Sequence, residues 1–424
     1  MSVDETIAPA ALAARLAAAA RKASHALAAA SPAQKDRALT RLAELLVERT
    51  DALVAANARD LAAADAAGIT GALRDRLTLT PARIQAMAEG VRQIIALPDP
   101  IGSVDGLTRR PNGLMIGRMR IPLGVICIIY ESRPNVTVDA GALCLKSGNA
   151  PILKGGKEAS HSNEALVDLM REALVDAGLP EDAVQAVATS DRAVTDALIR
   201  CSDDVDLVIP RGGEALIRHV TEHATVPVIQ HYKGVCHVYL DADCDLEMAS
   251  DIAFNAKVQR PGVCNAMETL LIHRELAPTL IPRLFPRLAE AGVTLRADAR
   301  TRALWPSAEP ATDADWDTEY LDLVLSVRLV DDMDVALAHI ARYGSGHTEA
   351  IVTNRYSAGQ RFIREVTASC VLINASTRFN DGFELGLGAE IGISTSRLHA
   401  YGPMGLEELT ARKWIVYGEG QIRG

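Results

Sequence analysis

The chain predicts an α/β protein of more than one domain, built on parallel sheets covered on both faces. Two observations carry that expectation. From Gly124 onward, short apolar runs bounded by turn residues alternate with helical stretches, the rhythm of β-α-β units. The chain also has 424 residues, too many for one simple core and suited to two or three domains.

Composition narrows the class. Hydrophobic residues make up 49 % and charged residues 23 %, which is ordinary for a globular protein. A net charge of −10 argues against a general nucleic-acid or membrane-surface role, since both favour basic faces. An anionic ligand would then need a locally basic pocket. The seven cysteines are odd in number and form no C-x-x-C pair. Neither a disulfide framework nor a structural zinc site is expected, and the cysteine usage fits a reducing cytoplasm. The apolar start, Ile7 to Ala20, is broken by Arg15 and ended by Arg21 and Lys22. It predicts an amphipathic helix rather than a signal peptide or a membrane span.

Residues 1–97 predict helices. Ser31-Pro32-Ala33-Gln34 resembles a capping box with proline at the first helical position. Leu39, Leu42, Leu46 and Leu53 follow at helical spacing. Thr80-Pro81 opens another helix, and Pro98-Asp99-Pro100 is a break. Asn112-Gly113 between Leu107–Arg110 and Leu114–Ile121 predicts a hairpin. It is either an arm that packs outside its own domain or an ordinary surface hairpin.

Strands are expected at Val125–Tyr130, Pro151–Leu153, Val184–Ala188, Val205–Ile209 and Val226–Ile229. A second α/β region, 249–378, should carry strands at Thr269–His273, Leu323–Val327, Ala350–Thr353 and Val371–Asn374. The tail from Asp381 is glycine-rich, then helical over Gly405–Lys413, then extended over Trp414–Tyr417.

Candidate chemistry centres on Cys264. The helix expected over Leu246–Val258 is cut off by Pro261-Gly262, so the thiol sits on a tight loop before an apolar strand. Arg260 is a basic neighbour, and such a setting favours the nucleophilic thiolate. The competing reading is a small core residue. Neither a strand-linked G-x-G-x-x-G nor a Walker A motif occurs, and Gly386 to Gly392 has the wrong spacing. Pro210-Arg211-Gly212-Gly213, between a strand and a helix, is either a phosphate cradle or a plain turn. Lys154-Gly155-Gly156-Lys157 ends another strand, the edge where α/β sheets gather ligands. Exposed turn lysines are the alternative. His219 and His223 lie four apart but lack the glutamate of H-E-x-x-H. They, His231 and His237 are better explained as solvated or packed than as metal ligands.

Several long motifs then carry a resemblance. They run from Tyr130-Glu131-Ser132-Arg133-Pro134-Asn135 through Lys154-Gly155-Gly156-Lys157, Ile209-Pro210-Arg211-Gly212-Gly213 and Gly234-Val235-Cys236-His237. Gln259-Arg260-Pro261 with Cys264-Asn265, Asn374 to Gly382, Glu384 to Gly392 and Gly402-Pro403-Met404-Gly405 continue them. In order, and across nearly the whole chain from Ser31, these resemble the γ-glutamyl phosphate reductase (glutamate-5-semialdehyde dehydrogenase) family.

The resemblance implies an aldehyde dehydrogenase-like fold in three parts. These are an NADP-binding domain (1–104 and 123–248), a catalytic domain (249–378) and an oligomerisation piece (105–122 and 379–424). It implies NADPH-dependent reduction of L-glutamyl 5-phosphate to L-glutamate 5-semialdehyde and phosphate, the second step of proline synthesis, without a metal. Cys264 would attack the acyl phosphate, phosphate would leave, and hydride from NADPH would reduce the thioester. Asn135 and the Cys264 backbone N–H would form the oxyanion hole. Arg133, Arg260 and Arg378 are candidates for the substrate's carboxylate and phosphate, or for tying loops together. Lys154, Lys157, Arg211, Gly212, Gly213 and Glu319 would hold the cofactor. Lys157 replaces the ribose-binding glutamate of NAD-preferring relatives and would attract a 2′-phosphate. Expected partners are the small-molecule substrate, further copies in a dimer or tetramer, and transiently glutamate 5-kinase, with no nucleic acid or membrane.

Hydrolytic aldehyde dehydrogenases carry a general-base glutamate where this chain has Ile229-Gln230-His231-Tyr232-Lys233. No acid stands there, as suits an enzyme that exchanges phosphate rather than water. Tyr232-Lys233 and Tyr401 depart from the family's usual residues. A hydrolytic dehydrogenase and a non-catalytic scaffold are the competing classes, opposed by the missing base and by intact Cys264 and Asn135 respectively.

Overall fold

The structure, a computed structural model, describes residues 7–423. The chain forms two compact units. Among the described residues the first comprises 7–230, 387–392 and 404–423, the second 231–386 and 393–403.

The first unit opens with the expected helices. Pro9–Ala29 is amphipathic and buries Leu12, Leu16, Ala20 and Leu27. Ser31 caps Pro32–Glu48: its Oγ accepts from Gln34 N at 3.3 Å, and Gln34 Oε1 accepts from Ser31 N at 3.2 Å. Leu39, Leu42, Leu46 and Leu53 are all buried. Thr80 caps Pro81–Ala96 through Arg83 N. None of the described helices is long and apolar enough to cross a membrane.

Four parallel strands follow, in the order Gln185–Ala186, Ala150–Lys154, Val125–Tyr130, Leu207–Arg211. Every residue of Val125–Tyr130 is buried, as a central parallel strand requires. From this strand the chain moves first to one side and later to the other. The strand order therefore reverses beside Val125–Tyr130, and the crevice outside the carboxyl ends there is where such sheets take ligands. Val226–Ile229, expected as a strand, contributes only a bridge from Val228 to Val208.

A three-stranded antiparallel sheet, Val104–Arg109, Met115–Pro122 and Thr410–Tyr417, completes the unit. The Asn112-Gly113 hairpin is present. The helix expected over Gly405–Lys413 is not: only a single 3₁₀ turn, Glu407–Leu409, precedes the strand. Pairing from Thr410–Pro122 to Tyr417–Met115 outweighs the local helical preference, because cross-strand contacts rather than intrinsic propensity decide strand formation.

The second unit holds seven parallel strands. Their order is Glu309–Pro310, Thr294–Ala297, Val324–Val330, Met267–His273, Cys236–Leu240, Thr348–Val352, Cys370–Ile373. Cys236–Leu240 sits inside this sheet, paired on both sides. The second unit thus begins before residue 249, where sequence places the boundary. Leu246–Val258 forms the expected helix, capped by Asp245. A buried ion pair joins that helix to the sheet: Lys257 Nζ lies 2.7 Å from Glu268 Oε2, at 0 % and 1 % side-chain exposure.

Candidate active site

In the second unit the loops at one edge of the sheet converge on Cys264. The thiol is half-buried, in the turn between the helix Leu246–Val258 and the strand Met267–His273. His231 and Gly234 precede Cys236–Leu240, Glu319 precedes Val324–Val330, and His347 precedes Thr348–Val352. All of these lie where strands begin rather than where they end.

The Cys264 backbone is clamped. Cys236 Sγ donates to Cys264 O at 3.1 Å. Burial holds the Cys236 thiol well above its ordinary pKa, so it is a donor here and no rival nucleophile. Gly234 runs so close that a Cβ on it would lie 1.9 Å from Cys264 O and 2.8 Å from Cys264 Cα. Gly234 N in turn donates to Glu319 Oε1 at 2.9 Å. A glycine is required at 234 for this backbone approach alone. Gly234→Ala should push the nucleophile off line and lower kcat by ~10²-fold, the typical cost of a ~1 Å misplacement. Steady-state kinetics would check this, and an unchanged kcat would refute it.

Arg378 feels the charge of both Cys264 and Arg260. The Arg378 guanidinium donates through Nε to Gln259 Oε1 at 2.8 Å. Burial and then repulsion by Arg260 lower its pKa, while Asp381 and Cys264 act the other way. Arg260 itself is exposed. Paired guanidinium groups of this kind are suited to a doubly charged anion.

Below Cys264 lies a polar network absent from sequence reasoning. Asn265 Nδ2 donates to Asn380 O, and Asn380 Nδ2 to Thr348 Oγ1. His347 Nδ1 lies 2.7 Å from the same hydroxyl. His347 is fully buried, and burial pushes its imidazole down to about 3, with His231 adding to the effect. It is neutral at physiological pH. Lys233 pairs with Asp317 at 2.6 Å, tying the loop of Gly234 to the segment before Glu319. Tyr401 brings its hydroxyl beside Gly346. His219 stacks on His223 and bonds Asp196, as expected of solvated histidines.

The cofactor candidates other than Glu319 sit in the first unit, at or just after the strand ends. Arg211 closes Leu207–Arg211, and Gly212-Gly213 leads into the helix Glu214–His223. Gly213 N donates to Glu131 Oε2 at 3.0 Å, and a Cβ on Gly212 would lie 2.5 Å from that oxygen. A carboxylate therefore lies against the turn where a pyrophosphate is expected. Lys154 is half-buried, its Nζ on Gly155 O. Lys157 is exposed, while neighbouring Glu158 turns inward to accept from Ser132 N and Oγ. Those bonds hold Ser132 at φ 40°, a left-handed conformation found at functional turns. Arg133 is exposed, and Asn135 lies in the first turn of Pro134–Lys146, its Nδ2 donating to Asp139 at 2.9 Å.

Comparison with known proteins decides the family. Residues 6–303 match the aldehyde dehydrogenase family. A γ-glutamyl phosphate reductase of Sorangium cellulosum is 59 % identical over 409 residues, covering 95 % of this chain and 96 % of that protein. The chain belongs to the γ-glutamyl phosphate reductase family. A second such reductase, from Nitratidesulfovibrio vulgaris Hildenborough, is 58 % identical over 95 % of this chain and 97 % of its own. The crystal structure of a Thermotoga maritima γ-glutamyl phosphate reductase superposes with a TM-score of 0.95 at 44 % identity. That match covers 97 % of this chain and 99 % of the other. The α/β architecture is accordingly that of the aldehyde dehydrogenase superfamily, whose members use a nicotinamide cofactor.

Proposed function

We propose that the protein reduces L-glutamyl 5-phosphate to L-glutamate 5-semialdehyde with release of phosphate, using NADPH, as the second step of proline synthesis. One observation carries the reading. The family's cysteine stands on a backbone clamped by Cys236 and Gly234, within the electrostatic reach of Arg378, and no carboxylate occupies residues 229–233.

The residues then divide the work. The Cys264 thiolate attacks the acyl carbon and expels phosphate, leaving a glutamyl thioester. Arg260 and Arg378 receive the anionic ends of the substrate, and Arg133 is a third candidate. When bound, the cofactor supplies a hydride. The resulting thiohemiacetal collapses to the aldehyde and restores the thiol. Asn135 is the proposed oxyanion donor; one amide proton is held by Asp139, so this role falls to the other. Lys154, Lys157, Arg211, Gly212 and Gly213 are the proposed cofactor contacts, with Lys157 directed at a 2′-phosphate. Glu319, which accepts from Gly234 N through Oε1, is the proposed contact to the nicotinamide ribose.

The exposed sheet of the first unit is the proposed oligomer contact in a dimer or tetramer. Its outer strands expose Leu107, Trp414, Val416 and Tyr417, an apolar edge that soluble chains usually cover. A transient contact with glutamate 5-kinase would deliver the labile acyl phosphate. The cysteine usage favours the cytoplasm.

The deciding assay runs the reaction backwards, from glutamate 5-semialdehyde and NADP⁺, with and without inorganic phosphate. NADPH formation should require phosphate. Equal turnover without phosphate would instead establish a hydrolytic dehydrogenase.

A further inference from the structure

His231, Cys264 and His347 come from three loops of the second unit. Each offers one ligand atom, and these lie within 4.8 Å of one another. Cys264 and His231 are half-buried and His347 is fully buried. Two features beyond proximity prepare the imidazoles as ligands. His231 Nδ1 lies 3.0 Å from Ile393 O. A carbonyl only accepts, so Nδ1 carries a proton, and a carbonyl partner on one ring nitrogen is the arrangement that orients metal-binding histidines through the other. In His347, Nδ1 pairs with Thr348 Oγ1, while Nε2 is buried without a hydrogen-bond partner among the described residues. A buried ring nitrogen without a partner is costly unless something fills its place.

We propose that Cys264, His231 and His347 form a thiophilic metal site that takes Zn²⁺ or another soft divalent cation, and that this metal reversibly silences the enzyme. A tetrahedral zinc with Zn–S about 2.3 Å and Zn–N about 2.0–2.1 Å sets its ligand atoms roughly 3.3–3.8 Å apart. The loops need close by only about 1 Å from the present spacing. Binding replaces the S–H bond by a metal–sulfur bond and releases one proton, and both imidazoles bind as neutral donors. No electron is transferred, so a chelator reverses it. With Cys264 held by the metal, no thiolate remains to attack the acyl phosphate. This loss of activity rests on the reading of Cys264 as nucleophile; the metal binding does not.

Cobalt(II) is the probe that separates the two. Titrated into the full-length protein in a non-chelating buffer, it should give a thiolate-to-cobalt charge-transfer band saturating at one metal per chain. Cys264→Ala should abolish the band. His231→Gln and His347→Gln should each weaken binding at least tenfold, with near-ultraviolet circular dichroism confirming folded protein. Half-buried His231 provides the safer variant for folding. Zn²⁺ should displace the cobalt and suppress turnover in step with occupancy, and EDTA should restore both. An undiminished band in Cys264→Ala would overturn the site, as would wild-type affinity in His231→Gln. An enzyme that binds cobalt as described yet shows no reductase activity would refute the proposed reaction and leave the metal site standing.

Discussion

Cys264→Ala will reduce kcat by at least ~10⁴-fold, the scale seen when a covalent nucleophile is removed. NADP⁺ affinity and thermal melting should stay close to wild type. The side chain is half-buried at the end of a loop, so its loss removes chemistry more than packing. A second thiol lies close by, since Cys236 touches the Cys264 carbonyl. It will not rescue the variant. Cys236 is fully buried and its pKa is raised well above the ordinary range by burial, with the negative charge of Glu349 adding to the effect. Alkylation followed by mass spectrometry gives an independent check. Native protein should be modified first at Cys264, and in the variant Cys236 should stay unmodified until the protein unfolds. Residual turnover above a few per cent would remove Cys264 from the centre of the reaction.

Lys257→Met should destabilise the second unit by ~3–5 kcal/mol, because it strands the buried Glu268 carboxylate without a counter-charge. Burial already pushes the Glu268 carboxyl up and the Lys257 ammonium down, so neither charge survives comfortably alone. The effect will reach the active site. Glu268 Oε1 accepts from Leu321 N at 3.2 Å, and Leu321 holds φ 54° two residues after Glu319. Glu319 in turn holds Gly234, and Gly234 abuts Cys264. A double replacement, Lys257→Met with Glu268→Leu, should recover most of the urea midpoint, since a well-packed apolar pair can replace a buried ion pair. It should not recover kcat, because Leu321 N loses its acceptor. Equal recovery of both would show that the pair serves stability alone.

The parts of this molecule that follow local rules were legible in its sequence. The Ser31 and Thr80 caps, the helix Leu246–Val258 and the buried run Val125–Tyr130 depend on residues within a few positions of one another. So does the turn that presents Cys264. The Gly405–Lys413 stretch has a local helical preference, but its conformation is set by Met115–Pro122, far away in the chain. Gly234 looked like any loop glycine, and its meaning lies in a contact with the Cys264 backbone. The cluster of His231, Cys264 and His347 obeys no spacing at all, since each ligand starts from a different loop. One signal of the cluster does lie in the sequence. Residues just before buried parallel strands gather at one sheet edge, and listing them would have put His231, Cys264, Glu319 and His347 together.

The pairing of Thr410–Tyr417 with Met115–Pro122 also sets a timetable for biosynthesis. Arg120 and Thr410, which share a hydrogen bond across that sheet, are 290 residues apart. At about 5–20 residues per second, a ribosome needs roughly 15–60 s to make the intervening chain. The second unit's main segment, 231–386, is synthesised before Thr410 emerges. The nascent protein therefore carries an unpaired edge at Met115–Pro122 for roughly 15–60 s, and this edge is where a chaperone would have most to protect.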